Sequence, residues 1–166
     1  MDYEFLLKKA EDIATEAHKG QLDRCGVEYI NHPRTVASYV SEPKLKIIAW
    51  LHDTIEDTDI TETDLRPIFG DEITDAVVAL TKAPDDDYFD YIERVRKNPL
   101  AIKVKLADLT HNMRPDRINN PTDKDYQRLE KYKKAYSILE KEVWFCNYII
   151  DKFCIYLYCF LNNEMI

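Results

Sequence analysis

Glycine is scarce in this chain, with three in 166 residues, and no alternating run of β-branched residues is long enough for a strand, so sheet-rich architectures have little support. The four cysteines, Cys25, Cys146, Cys154 and Cys159, contain no CxxC pair, which removes the usual zinc-thiolate and dithiol signatures. A basic excess is missing too. Twenty-three Lys and Arg face thirty-one Asp and Glu for a net charge of −8, so neither a nucleic acid polymer nor an anionic membrane is expected as a partner. Nor is there an unbroken apolar stretch of the roughly 20 residues that a membrane span takes. The nearest approach, residues 143–161, is interrupted by Asn147, Asp151 and Lys152. No apolar signal segment follows Met1, and the reading is a cytoplasmic protein with free thiols.

What the chain does have is helical spacing throughout, and the expected fold class is all-α. Leu6, Ala10, Ile13, Ala14 and Ala17 make an opening helix that stops near Gly20, followed by a polar loop to Pro33. A short helix is expected from Thr35 to Val40, and Pro43 starts a longer one through Leu45, Ile48, Ala49 and His52. Thr61 with Asp64 resembles an N-terminal cap for a helix ending at Phe69-Gly70, after which Asp71 can cap the next, through Ile73, Val77 and Leu80. Further helices are expected at 90–97, after Pro99 to Met113, and from Asp123 onward. Length fits one domain, at 1–140, with a C-terminal helical tail at 141–166 packing on it. That tail is rich in Trp, Phe and Tyr, which suits a helix covering the core or a homodimer face.

A chemical incongruity marks the function. The apolar stripe of Leu45, Ile48 and Ala49, continued by helical steps, reaches His52, Asp53 and Glu56, with Asp57 one turn beyond Asp53. On the helix after Pro99, Ala101 and Val104 lead to Asp108 and then Asn112. Burying an unpaired carboxylate costs several kcal/mol, so inward acids on two helices call for a shared cation. His32, ahead of Pro33, is biased away from helix and is read as a loop histidine leaning over them. Two imidazoles and two carboxylates suit Mn²⁺, Fe²⁺, Zn²⁺ or Mg²⁺.

Four segments in order, Ala17-His18-Lys19-Gly20-Gln21, Tyr29-Ile30-Asn31-His32-Pro33, the string from Ala49 to Thr58 containing His52-Asp53-Thr54-Ile55-Glu56-Asp57-Thr58, and Lys105-Leu106-Ala107-Asp108 running on to His111-Asn112-Met113, resemble HD-domain phosphohydrolases. Within these, they are similar to the hydrolase domain of the (p)ppGpp synthetase/hydrolases and their small stand-alone relatives. The likeness covers residues 1–140 and implies a single HD-domain helical bundle. It implies a metal-dependent phosphohydrolase with one divalent ion, Mn²⁺ first and Fe²⁺, Zn²⁺ or Mg²⁺ as alternatives, held by His32, His52, Asp53 and Asp108. Glu56 and Asp57 would take part in the chemistry, and Asn112 would lie by the nucleotide. The implied reaction releases the 3′-pyrophosphate of (p)ppGpp or a related nucleotide; the alternatives are an HD enzyme for another nucleotide and a non-catalytic metal- or nucleotide-binding module.

The chain departs from that pattern at two places. An arginine nine residues before the HP histidine packs on guanine in the alarmone hydrolases, with a basic residue next; here Asp23 and Arg24 stand there. Leu109 replaces an arginine after the KLAD aspartate. Arg24, Lys105 and Asn112 are therefore the substrate-binding candidates, and Lys103 and Lys19 are further candidates for holding phosphate.

Overall fold

In the computed structural model, residues 2–117 and 121–161 are described, the side chains of Asp116 and of residues 144–161 excepted. The helices are α1 (Tyr3–Ala17), α2 (Asn31–Ser38), α3 (Pro43–Leu51), α4 (Thr54–Asp57), α5 (Glu62–Leu80), α6 (Tyr88–Val95), α7 (Pro99–Asn112) and α8 (Asp123–Leu161), with a 3-10 turn at Pro115–Arg117. Among the described residues no strand forms, and one isolated bridge pairs Leu22 with Glu28. The all-α expectation holds.

The organising element is α3. Ile47, Ile48, Ala49 and Leu51 are fully buried and Trp50 nearly so, which makes the second half of this helix apolar on every side and therefore interior. It packs against α1, α2, α5 and α7. α1 contributes Leu6, Ala10 and Ala14, whose spacing puts small and branched side chains on one face, and Asp2 caps it by accepting from the Phe5 amide. α7 is the second central helix: Pro99 starts it, and the Asn98 side chain accepts from the Leu100 and Ala101 amides. α8 closes the bundle with Ala135 and Leu139, both fully buried. The tail expected to pack at 141–166 lies, beyond Val143, outside the described side chains.

Two local outcomes differ from the expectations. His32 is not in a loop: α2 begins at Asn31, with His32 in its first turn. Pro33 is tolerated there because first-turn amides have no intrahelical acceptor, so the conformational bias it imposes on its predecessor is outweighed. The helix carrying Ile48 does not run on through Asp57. It ends at Leu51, Asp53 adopts φ −102°, ψ −4°, and the chain restarts as the one-turn α4. Side chains compete for the last carbonyls, since Thr54 Oγ1 donates to the Leu51 oxygen (2.7 Å) and His52 Nδ1 lies 2.8 Å from the Ala49 oxygen. The helices expected on either side of Gly70 are both present and meet at a kink there, within α5.

At that kink Gly70 has φ 74°, ψ 174°, a backbone region essentially reserved for glycine. The Asp64 carboxylate accepts from the Thr61 amide at 2.9 Å, so the first half of α5 has the cap the sequence suggested. A Cβ at Gly70 would meet no neighbour within 4 Å, so the cost of Gly70→Ala is backbone strain alone. We expect it to destabilise by about 1–3 kcal/mol, read in thermal melts as a drop of roughly 2–12 °C at this chain length.

Candidate metal centre and its cavity

α2, the end of α3 and the middle of α7 meet where the bundle is most polar inside. His32 and His52 turn their Nε2 atoms toward each other at 3.2 Å. Asp53 Oδ2 lies 3.1 Å from His52 Nε2 and 3.4 Å from His32 Nε2. Asp108 Oδ1 lies 3.1 Å from His32 Nε2 and 3.8 Å from His52 Nε2. His32, His52 and Asp53 offer ligand atoms that all fall within 4.8 Å of one another, a group that could hold a metal ion. Atoms about 2.1 Å from a common ion would stand about 3.0–3.4 Å apart, and the spacings among His32, His52 and Asp53 match that. Asp108 lies beside both histidines, 3.1 Å from one and 3.8 Å from the other, and stands outside that three-residue group.

The proton inventory favours a cation. His52 Nδ1 faces the Ala49 carbonyl, so in the neutral ring the proton sits there and Nε2 is a bare lone pair beside two carboxylates. Without a metal, burial opposes charge on His52, yet Asp53 and Asp108 overcome it and push the imidazole up to about 10. Burial likewise opposes ionisation of the two aspartates; His52 and His32 hold Asp53 low, and Lys105 with the histidines holds Asp108 well below the carboxylate range. Tyr29 donates to Asp53 Oδ2 at 2.6 Å, and burial together with Asp53 raises its hydroxyl so that it remains a donor.

Lys105 and Asn112, read from sequence as substrate-binding, both engage Asp108: Lys105 Nζ donates to Oδ2 at 2.8 Å and Asn112 Nδ2 to Oδ1 at 2.5 Å. Both still line a cavity of about 510 Å³ that opens above the four-residue cluster. Glu56 and Asp57 border the same cavity. Burial, then Asp53 and the neighbouring acid of the pair, raises Glu56, whose Oε2 accepts from the Lys82 amide at 2.7 Å; burial and then Asp53 raises Asp57. Gln21 bridges behind them, its amide donating to the Asp57 carbonyl while its oxygen faces His18 Nδ1 at 2.9 Å.

The far wall was missed in the sequence reading. Lys124, Arg128 and Lys131, on one face of α8 at helical intervals, line the cavity together with Lys82, Arg24 and Arg117. Their spacing was the available signal. Arg24 and Arg128 share the Asp125 carboxylate at 3.2 and 2.9 Å, two guanidinium groups on one acid. Lys103 and Lys19 are instead paired with Glu42 and Glu16 and do not line the cavity.

A second, mainly apolar cavity of about 480 Å³ adjoins the first, with Leu22, Met113, Pro115, Pro121, Tyr126 and Leu129 in its wall. Arg24, Tyr29, Asn112, Arg117, Arg128 and Tyr132 line both. Asp23 does not stand as a bare acid there: it accepts from the Cys25 and Val27 amides and lies 3.6 Å from Arg117, closing its own loop.

No family model matches the chain. A Myxococcus xanthus protein named GTP pyrophosphokinase is 39% identical over 127 residues, 66% of this chain and 17% of that protein. The bifunctional (p)ppGpp synthase/hydrolase SpoT of Escherichia coli K12 is 37% identical over 123 residues, 65% of this chain and 18% of SpoT. A Haemophilus influenzae guanosine-3′,5′-bis(diphosphate) 3′-pyrophosphohydrolase is 38% identical over 117 residues, 61% of this chain and 17% of that enzyme. The chain thus spans under a fifth of the length of these curated relatives. Among solved structures, a metazoan SpoT ortholog described as hydrolysing ppGpp and acting in starvation responses superposes with a TM-score of 0.68 at 23% identity, over 81% of this chain and 84% of that one. The chain is accordingly a homologue of the SpoT/RelA-type (p)ppGpp synthase/hydrolases and has the helical fold of an HD-type relative.

Proposed function

We propose that this chain is a metal-dependent phosphohydrolase that removes the 3′-diphosphate of guanosine 3′,5′-bis(diphosphate) or of a closely similar nucleotide. The observation that carries the reading is the convergence of two carboxylate oxygens on two imidazole nitrogens, each oxygen 3.1–3.8 Å from both nitrogens, at the floor of a cavity walled by cations. His32, His52, Asp53 and Asp108 would hold one divalent ion, Mn²⁺ by analogy with the alarmone hydrolases. When bound, such an ion supplies Lewis acidity, polarising a phosphoryl oxygen and acidifying adjacent water.

The residues of the chain do the rest. Glu56 and Asp57, both raised by burial and by Asp53, are placed to move protons, one removing a proton from the attacking water and the pair returning one to the leaving 3′ oxygen. Water adds at phosphorus, the P–O3′ bond breaks, and the products are pyrophosphate and the nucleoside 5′-diphosphate. Lys82, Lys124, Arg128 and Lys131 offset the charge of the phosphates, which a chain of net charge −8 would otherwise repel. The adjoining apolar cavity accepts the nucleoside, with Arg24 at the junction of the two. We assign the chain to the cytoplasm, where nucleotide is available and Cys25 stays a thiol. The aromatic tail is our candidate for a homodimer face.

The deciding assay is pyrophosphate release from ppGpp by Mn²⁺-loaded protein, run beside a panel of other nucleotides. Turnover of the panel without ppGpp would overturn the alarmone assignment, and tight nucleotide binding without any turnover would make the chain a sensing module. Glu56→Gln and Asp57→Asn should each lower kcat by about 10²–10⁴-fold with metal content unchanged. Arg128→Ala should act on KM instead, raising it about tenfold or more, as expected for loss of one charged hydrogen bond.

Metal and pH should be linked through His52. Its folded-state value of about 10 exceeds the ordinary 6.5, so the metal-free folded protein holds an extra proton. That contribution to stability is complete below about pH 6.5 and is lost as pH rises through the folded value. An ion at His52 replaces the proton. The rise in Tm on adding Mn²⁺ to chelator-treated protein should therefore grow from pH 6.5 to 8.5, and a pH-independent rise would count against His52 as a ligand.

A further inference from the structure

His32 and His111 lie side by side, their rings nearly parallel at 15° with centroids 4.9 Å apart and their Nδ1 atoms separated by 2.7 Å. Two bare ring nitrogens do not approach that closely, so one proton occupies the line between them. Which ring owns it decides what His32 presents on its other edge. With the proton on His32 Nδ1, His32 Nε2 is a lone pair facing His52, Asp53 and Asp108. With the proton on His111, a neutral His32 must carry its own on Nε2, and an N–H then points at the place an ion would take.

A cation selects the first arrangement: an ion taken by His32 Nε2 leaves the neutral ring's proton on Nδ1, and His111 Nδ1, at 2.7 Å, is placed to accept it. Arg117 Nη1, which can only donate, stands 3.5 Å from His111 Nδ1 and 3.2 Å from His32 Nδ1, so it does not itself choose between the rings, and it donates to Asn112 Oδ1 at 2.7 Å. Asn112 in turn donates to Asp108, so Arg117 and Asn112 connect the His111 side of the cluster to its carboxylate side. His111 itself is 8% exposed and sits on α7 three residues beyond Asp108, which fixes its position relative to that ligand.

We propose that His111 is a positioning residue: its Nδ1 accepts the Nδ1 proton of His32 and thereby keeps His32 in the tautomer that binds the ion through Nε2. This rests on the metal centre proposed above. It assigns a function to a side chain that neither touches the ion nor needs to meet the substrate.

The test uses full-length protein and Mn²⁺ as the probe, with binding followed by electron paramagnetic resonance. His111→Asn keeps an acceptor near the place of Nδ1, whereas His111→Leu keeps bulk without one. His111→Leu should bind Mn²⁺ about 10–100-fold more weakly, with His111→Asn restored to within a few-fold of wild type. Equal affinity in all three proteins, or equal loss in both variants, overturns the proposal while leaving the metal centre standing. Wild-type protein that takes up no Mn²⁺ removes the metal centre and the proposal together. Should the leucine variant fail to fold, long-range ¹H–¹⁵N spectra of Zn²⁺-loaded wild type still decide: the expected result is His32 protonated at Nδ1 and metallated at Nε2. Metallation at His32 Nδ1, or a proton on His111 Nδ1, overturns it.

Discussion

The fold depends on reconciling a concentration of negative charge and lone pairs with an interior that excludes water. His32, His52 and Asp108 are each no more than 5% exposed, and Asp53 joins them from the end of α3. Buried anions are tolerated only when paired, and the protein supplies partial pairing from every side: Lys105 and Asn112 on Asp108, Tyr29 on Asp53, the Ala49 carbonyl on His52. Lys105 and the Ala49 carbonyl take the far atoms of Asp108 and His52, while Tyr29 and Asn112 share the oxygens that face the histidines. A cation would complete what the side chains leave unfinished.

That arrangement also explains the irregular backbone between α3 and α4. A continuous helix would place His52 and Asp53 about 100° apart around its axis, pointing them in different directions. The break at Leu51, held by Thr54 and His52 side chains on the carbonyls of the last turn, lets neighbours in sequence address one centre. The apolar run from Ile47 to Leu51 behind them, buried on all sides, anchors the break.

Much of the fold was legible from composition and spacing, because scarce glycine and recurrent apolar intervals admit little besides helix. Start signals such as Pro99 and the Thr61-Asp64 cap located helix starts well. His32 was misplaced in a loop because a statistical bias before proline was weighed above the tolerance of a first turn. At the candidate site, Asp53 and Asp108 were visible as acids ending apolar stripes. The α8 cations were not, since Lys124, Arg128 and Lys131 look like any solvated face until the bundle closes over them. His111 was hidden for a related reason: its neighbour across the chain, His32, is seventy-nine positions away. Lys105 and Asn112 were singled out, but their hydrogen bonds to Asp108 could be seen only in three dimensions.

The division of labour between helices has an evolutionary corollary. The four candidate ligands come from α2, α7 and the junction after α3, whereas three of the seven cationic side chains lining the cavity belong to the opening turns of α8. Anion preference and ion retention are therefore inherited on separate stretches of polypeptide. Drift in the first could diversify the nucleotides accepted while the second remained intact, so descendants of one ancestral centre could part company in substrate without rebuilding their inorganic chemistry.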